Sequence, residues 1–418
     1  MLSNLYSSLA HRNFRLYFTG QVISVTGTWM QNVAQAWLVY RLSGSSFMLG
    51  LVAFAGLVPV LLLGMHGGLI ADRFPRRKIL IVLHILAMVI SFTLAYLVNV
   101  KAATPALLVL FSLMLGTLHA LEMPTRHAFV AELVPREQLP NAVALSSSVF
   151  NLARFVGPGL AALLFDHFNE SLIFSLNGLS FFIMLIVLFR ISTTLQNQPA
   201  DQQTTAQRLL EGFRYAWKVT EIRYALLLLG TISLVSTAQS VLMPVFSREV
   251  FNGDAKTFSA LVGSTGVGAF IAAMRLAYLS ASSHLPVRIR NAVVIAGIAM
   301  LIFPLQHHVT PAFFILALLG FALTTTVATI NTLIQLNVPD HLRGRVMALF
   351  SVLFIGLTSL GNLAAGLLGE KIGAPYTVTL YGTICLLAGL GYSLCLKRCG
   401  LEWTRNEIRN SRRLGGGN

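Results

Sequence analysis

The chain has 418 residues, 55% hydrophobic and 11% charged, with a formal net charge of +15 and a mean hydropathy of +0.73. Soluble domains carry about 25% charged residues, so composition excludes a water-soluble enzyme or binding module. Strict two-residue alternation is absent, which excludes a β-barrel; apolar stretches long enough to cross about 30 Å of hydrocarbon recur throughout. The chain reads as an all-α polytopic membrane protein.

Apolar segments are predicted at 14–40, 46–71, 79–99, 105–131, 141–165, 170–190, 223–250, 257–280, 286–306, 311–337, 342–369 and 374–396. The first starts only near Phe14 and runs too far for a cleavable signal. It carries Gln21, Ser24, Thr28, Gln31, Asn32 and Gln35 at intervals of three and four. That stripe is one helical face, suited either to hydrogen bonds between helices or to the wall of a polar cavity. Between segments 2 and 3, "GGLIADRFPRRKIL" sets one acid among four basic residues. Gly68 lets segment 2 pack closely, and Asp72 ends it at the membrane surface. A carboxylate there suits a helix N-terminus, worth about 0.3–1 kcal/mol when exposed.

Segment 4 places His119, Glu122 and Arg126 on one face. Glu122, raised by burial, or His119 could titrate in the physiological range and exchange protons. Segment 5 holds Arg154 about 20 Å from its start at 1.5 Å per residue. An arginine at mid-membrane is by default functional. It either binds an anionic group or pairs with Glu122, about one helical turn away in depth, and the two roles can coexist. Pro158, between Gly157 and Gly159, is expected to kink this segment at a gate; close packing of small residues is the alternative. His66, His84 and His127 are isolated and read as core or boundary histidines. Segment 10 offers Asn331 and Gln335, with Thr324 to Thr326 nearer its other end.

Residues 134–164 align without a gap on 338–368, with ten identities that include Val134, Pro135, Phe150 and Gly157. The offset of 204 maps segment 5 onto segment 11 and divides the chain into halves at 1–190 and 223–396. Residues 191–222 form a linker, polar at first and then an amphipathic helix led by a Thr204/Gln207 capping box. Residues 397–418 are a basic tail. If both termini are cytoplasmic, 24 Lys and Arg fall on that side and 5 on the other. The positive-inside rule then sets the topology and removes nucleic acid as a needed partner. Cys385, Cys395 and Cys399 form no disulfide framework or metal site and read as inert thiols.

Two repeated six-span halves are a transporter plan with a midplane site. "GLIADRFPRRKIL" resembles the signature of the major facilitator superfamily through Gly68, Ala71, Asp72, Arg73, Arg76 and Arg77, with Ile70 and Pro75 as departures. "HRNFRLYFTGQVISVTGTWMQNVAQAWLVYRLSGS" and "PTRHAFVAELVP" are similar to blocks of the bacterial subgroup of enterobactin exporters and macrolide efflux proteins. The resemblance implies that Asp72 meets the start of helix 11, around His341–Arg345. Arg73, Arg76 and Arg77 would bridge to Glu122 or Glu132, forming a latch that joins the halves when the cytoplasmic side is closed. "FVGPGLAALL" resembles the antiporter motif at Gly157, Pro158 and Gly159, but Ala161–Ala162 replace its terminal glycines.

The expected function is secondary active, proton-coupled export of an amphipathic organic molecule, a siderophore or drug, across a bacterial inner membrane. The alternatives are a lysophospholipid facilitator or flippase and a siderophore importer. Catalysis is not expected, because no Walker-A loop, HExxH or paired carboxylates occur. No cofactor or metal is expected. The partners are a small-molecule substrate, membrane lipid and protons, with the chain a monomer.

Overall fold

A computed structural model describes residues 7–191, 205–278 and 284–414, and their side chains except at 65–69, 71–72, 205–209 and 397–414. The long helices are α1 (Arg12–Ser43), α2 (Ser46–Arg73), α3 (Arg76–Asn99), α4 (Pro105–Leu133), α5 (Leu139–Phe165) and α6 (Glu170–Arg190), then the linker helix α7 (Thr205–Lys218). After it come α8 (Thr220–Val250, interrupted), α9 (Ala255–Tyr278), α10 (Leu285–Ile302), α11 (Val309–Asn337), α12 (Asp340–Ile372) and α13 (Ala374–Leu414). Among the described residues, eleven helices are long and apolar enough to cross a membrane. The helix outside that set, α1, has 32 residues; its glutamines and Asn32 lower its hydropathy, not its reach. The architecture is consistent with the twelve expected spans.

Local sequence sets the helix ends. Gly44 takes φ 62° and closes α1 by donating its N–H to Tyr40 O, a conformation that costs glycine least. Ser45 then caps α2 by accepting from Met48 N at 3.3 Å, and Thr104 caps α4 from Leu107 N ahead of Pro105. The expected Thr204/Gln207 box lies outside the described side chains. The span α8 is broken after Val235 and finishes in a π-helical turn, Phe246–Val250, a departure from regular geometry often found at functional sites.

The repeat seen in the sequence recurs in the packing. In the first half α2 packs on α4, α3 on α6, and α1 on α5. In the second, α9 packs on α11, α10 on α13, and α8 on α12. Gly157 and its repeat partner Gly361 do the same work. A Cβ at Gly157 would stand 3.2 Å from Met30 N of α1. One at Gly361 would stand 2.9 Å from Thr237 Oγ1 of α8. The halves meet along α2 with α12 and along α5 with α9, which are themselves repeat-related pairs.

Those crossings are close. A Cβ at Gly50 would lie 2.6 Å from Asn362 O and 2.8 Å from Gly366 Cα, and one at Gly266 would lie 2.7 Å from Arg154 O. Glycine is required because backbone touches backbone.

Candidate functional site

The polar stripe of α1 divides between two environments. Gln31 Oε1 accepts from Ser91 Oγ at 2.9 Å and from Asn177 Nδ2 at 2.8 Å. Gln35 Nε2 donates to Ser112 Oγ at 2.6 Å and to Leu108 O at 3.3 Å. Both are buried, so as candidate cavity residues they are corrected: they tie α1 to α3, α4 and α6. Gln21 is 3% exposed, and neither of its amide atoms has a partner. Such a group costs about 1–3 kcal/mol. Thr28 bonds back to Ser24 O. Asn32 is exposed, one helical position from the buried Gln31.

On α4, Glu122 accepts from Arg126 Nη1 at 3.4 Å. The Arg126 guanidinium in turn sits 4.2 Å from the centroid of the Phe150 ring on α5. The side chains are 22% and 14% exposed. His119 is half-buried one turn earlier.

The ion pair considered between Glu122 and Arg154 is not what forms among the described residues. Arg154 instead lies over Trp29 of α1, 5.4 Å from the ring centroid. Its side chain keeps exposed surface, although it lies well inside α5. It has no carboxylate within ion-pair distance among the described residues. In the second half, Gln335 Nε2 donates to Asn331 Oδ1 at 2.6 Å, with Gln335 exposed and Asn331 half-buried. Pro158 and Gly157 are buried, and Gly159 has open space beside it.

The basic loop after α2 is tied to the first half. Arg76 Nη1 meets Glu132 Oε1 at 2.6 Å with side chains 9% and 12% exposed; this is the bridge to α4 that the resemblance implies, but it joins two helices of the first half and not the two halves. Removing one member of so buried a pair costs about 3–5 kcal/mol. Arg77 donates to Leu188 O and Phe189 O, at 2.7 and 3.0 Å, and so caps α6. Arg73 is exposed. The Gly68 and Asp72 side-chain positions lie outside the described residues. At the start of α12, Arg345 forms an ion pair with Glu211 of α7, and Gly212 packs against the Arg345 carbonyl. His84, read as a core histidine, is buried with its ring nitrogen 2.8 Å from Leu80 O.

A set of contacts at the end of the bundle away from the termini escaped sequence reasoning. Tyr40 Oη donates to Glu249, Lys256 Nζ meets Asp166 Oδ2 at 2.7 Å, and Glu370 Oε2 accepts from Ser45 Oγ and Phe47 N at 3.0 and 3.2 Å. Trp37 stacks on Phe258, ring centroids 6.0 Å apart. All four join the first half to the second and hold this end shut. The signal was present, since charges are scarce in the loops at this end and each one had to be accounted for.

The geometry is that of two repeated bundles closed on each other at one end, with an arginine well inside α5 that has no carboxylate partner among the described residues. Comparison with known proteins agrees with it. Residues 3–411 match the family model described as transmembrane secretion effector. The staphyloferrin A transporter of Staphylococcus aureus is 23% identical over 379 residues, covering 89% of this chain and 94% of that protein. The multidrug efflux pump Tap of Mycolicibacterium fortuitum is 24% identical, covering 86% and 89%. Macrolide efflux protein A of Streptococcus pyogenes is 24% identical, covering 90% and 95%. The crystal structure of nucleoside transporter NupG superposes with a TM-score of 0.71 at 12% identity, covering 92% and 99%. The chain therefore belongs to the transmembrane secretion effector family of the major facilitator superfamily, a multi-span membrane transporter and not an enzyme.

Proposed function

We propose that the chain exports an amphipathic organic molecule of siderophore or drug type, carrying an anionic group, by proton-coupled alternating access. The reading places it in a bacterial inner membrane with both termini in the cytoplasm, as the 24 to 5 distribution of Lys and Arg supports. The observation that carries the substrate class is Arg154. A guanidinium left without a carboxylate partner in a low-dielectric bundle is costly, and its planar fork suits a carboxylate or catecholate group. Trp29 beside it offers an aromatic face to the apolar part of the same molecule. The names of the staphyloferrin A transporter and the Tap efflux pump support the siderophore or drug class.

Glu122 is the proposed proton carrier, with His119 next in line. It sits against Arg126, so protonation would release Arg126 toward Phe150 and couple charge to the packing of α4 on α5. The departure at Ala161–Ala162 leaves the Gly157–Pro158–Gly159 stretch as the hinge of that packing. The cytoplasmic latch is assigned to Gly68, Asp72 and Arg73, with Arg76 and Arg77 anchoring the loop that carries them to the first half.

The test uses proteoliposomes with an imposed pH gradient, in both orientations, and a panel of siderophores, macrolides and lysolipids. Export of an anionic amphiphile should be gradient-driven in the native chain, and Glu122→Gln should lose the gradient response while keeping substrate exchange. Arg154→Lys should weaken acidic substrates more than neutral ones. Equal losses for both, or transport of lysolipids alone, would overturn the assignment.

A further inference from the structure

A cavity of about 410 Å³ lies between α9, α10 and α11, at the end of the bundle that carries the termini. It stands apart from the seam between the halves, because α10 packs on α11 and α13 of its own half. Arg275 on α9, and His284, Arg288 and Asn291 at the start of α10, form its walls; Phe321 and Thr325 on α11 form its base. Among the described residues of the lining there is no acid.

The donors converge. The Arg275 guanidinium is held 5.6 Å from the centroid of the Phe321 ring. Arg290 donates twice to Asn291 Oδ1, at 3.0 and 2.9 Å, which occupies the acceptor end of that amide and leaves its N–H groups to a ligand. Thr325 is 3% exposed, and its hydroxyl has no partner among the described residues. Val287 and Ile295 add an apolar wall, continued outward by the exposed Ile298 and Ile302 of α10.

The first half shows what is different here. There Arg76, at the start of α3, is neutralised by Glu132 near the end of α4. The repeat offset of 204 maps Glu132 onto Leu336 of α11 and Arg76 onto Ser280. The second half therefore does not repeat that ion pair, and its basic residues at this end, Arg275 and Arg288, stand at other positions of the repeat.

We propose that this crevice binds a net-anionic phosphate group with an apolar portion attached. Two sources carry that chemistry: the headgroup of an anionic phospholipid entering from the bilayer, or a soluble organic phosphate entering from the aqueous side. The proposal is independent of which substrate the transporter moves.

The experiment measures binding of spin-labelled phosphatidylglycerol to the purified full-length chain in neutral detergent, with phosphatidylcholine as the zwitterionic control. Phosphatidylglycerol should bind more tightly. Arg275→Gln and Arg288→Gln should each weaken it roughly fivefold, as expected for one basic residue at an anionic headgroup. Arg12→Gln, exposed at the same end, should leave it unchanged. Displacement by glycerol phosphate or inorganic phosphate at millimolar concentration would assign the soluble source. Displacement by unlabelled phosphatidylglycerol alone would assign the lipid.

Should a glutamine variant fold poorly, the native chain supplies a second readout, because raising salt from 0.1 to 1 M shortens the screening length from about 10 to 3 Å. Retention should then fall. Equal binding of the two lipids, insensitive to salt and to both substitutions, with no displacement by phosphate, would overturn the proposal.

Discussion

Replacing Tyr40 by Phe removes one hydroxyl and leaves the ring, so its effect reports on the bond to Glu249 alone. Tyr40 is 4% exposed and its hydroxyl donates to a carboxylate across the two halves. A hydrogen bond to a charged group contributes about 1.5–3 kcal/mol. Glu249 is exposed, so water can replace the lost donor and the lower end of that range applies. On the proposed orientation, with the termini in the cytoplasm, this is the outer end, and under the proposed alternating access a loss of about 1.5 kcal/mol shifts the balance between its closed and open forms roughly tenfold toward the open one. The assay is a spin–spin distance distribution between Phe168→Cys and Tyr376→Cys, both exposed near the outer end of the bundle, in a background with Cys385, Cys395 and Cys399 replaced. Tyr40→Phe should enlarge the long-distance population about tenfold where that population is small. Tyr96→Phe, exposed on α3, is the control. An unchanged distribution would refute the view that this contact helps hold the outer end shut.

Gly50→Val should widen the α2–α12 crossing, because even a Cβ would stand 2.6 Å from Asn362 O; overpacking of this kind costs about 1–3 kcal/mol and the same distance assay reads it. Gly212→Leu should detach α7 from α12, since a Cβ there meets Arg345 O at 2.7 Å, and hydrogen exchange in α7 should rise; exchange equal to the native chain's would mean that the docking is incidental. Glu211→Gln should have a smaller effect of about 0.3–1 kcal/mol, as its ion pair with Arg345 is partly solvated. Asp254 accepts from Thr257 N and Oγ1 at 3.0 and 3.2 Å, and that backbone donor chiefly holds its carboxyl below the usual aspartate range. A depressed native pKa stabilises the fold above the unfolded value and loses that contribution as pH falls through the native one. Asp254→Ala should therefore lower stability by about 1 kcal/mol at neutral pH, and the difference in melting temperature from the native chain should shrink below about pH 4.

The asymmetry between the two ends gives these tests a common logic. Polar contacts between the halves at the outer end are few and named, whereas the signature loop after α2 is anchored within its own half through Arg76 and Arg77. Under the proposed alternating access the outer contacts break when the bundle opens there, while the anchors of the loop persist through the cycle.

Spans, repeat and family were legible in the sequence because each is a one-dimensional property. Hydropathy over twenty residues reports a helix that must satisfy its own backbone in lipid. The identities between 134–164 and 338–368 report a duplicated packing plan, seen again at Gly157 and Gly361. The bridge from the signature loop to Glu132 was one of two that the family resemblance implied, and the structure selects it over Glu122. The azimuth of each side chain was decided by the tertiary structure. Gln31 and Asn32 are neighbours of like chemistry, yet one is locked between Ser91 and Asn177 and the other is exposed. A turn of 100° per residue separates those fates, and only the positions of the surrounding helices assign them. The same holds for Arg154, whose choice of Trp29 over Glu122 depends on where α1 and α4 stand around α5. It holds most for the outer closure, where the partners are 90, 209 and 325 residues apart. No local pattern marks such pairs, because what selects them is the meeting of two folded halves.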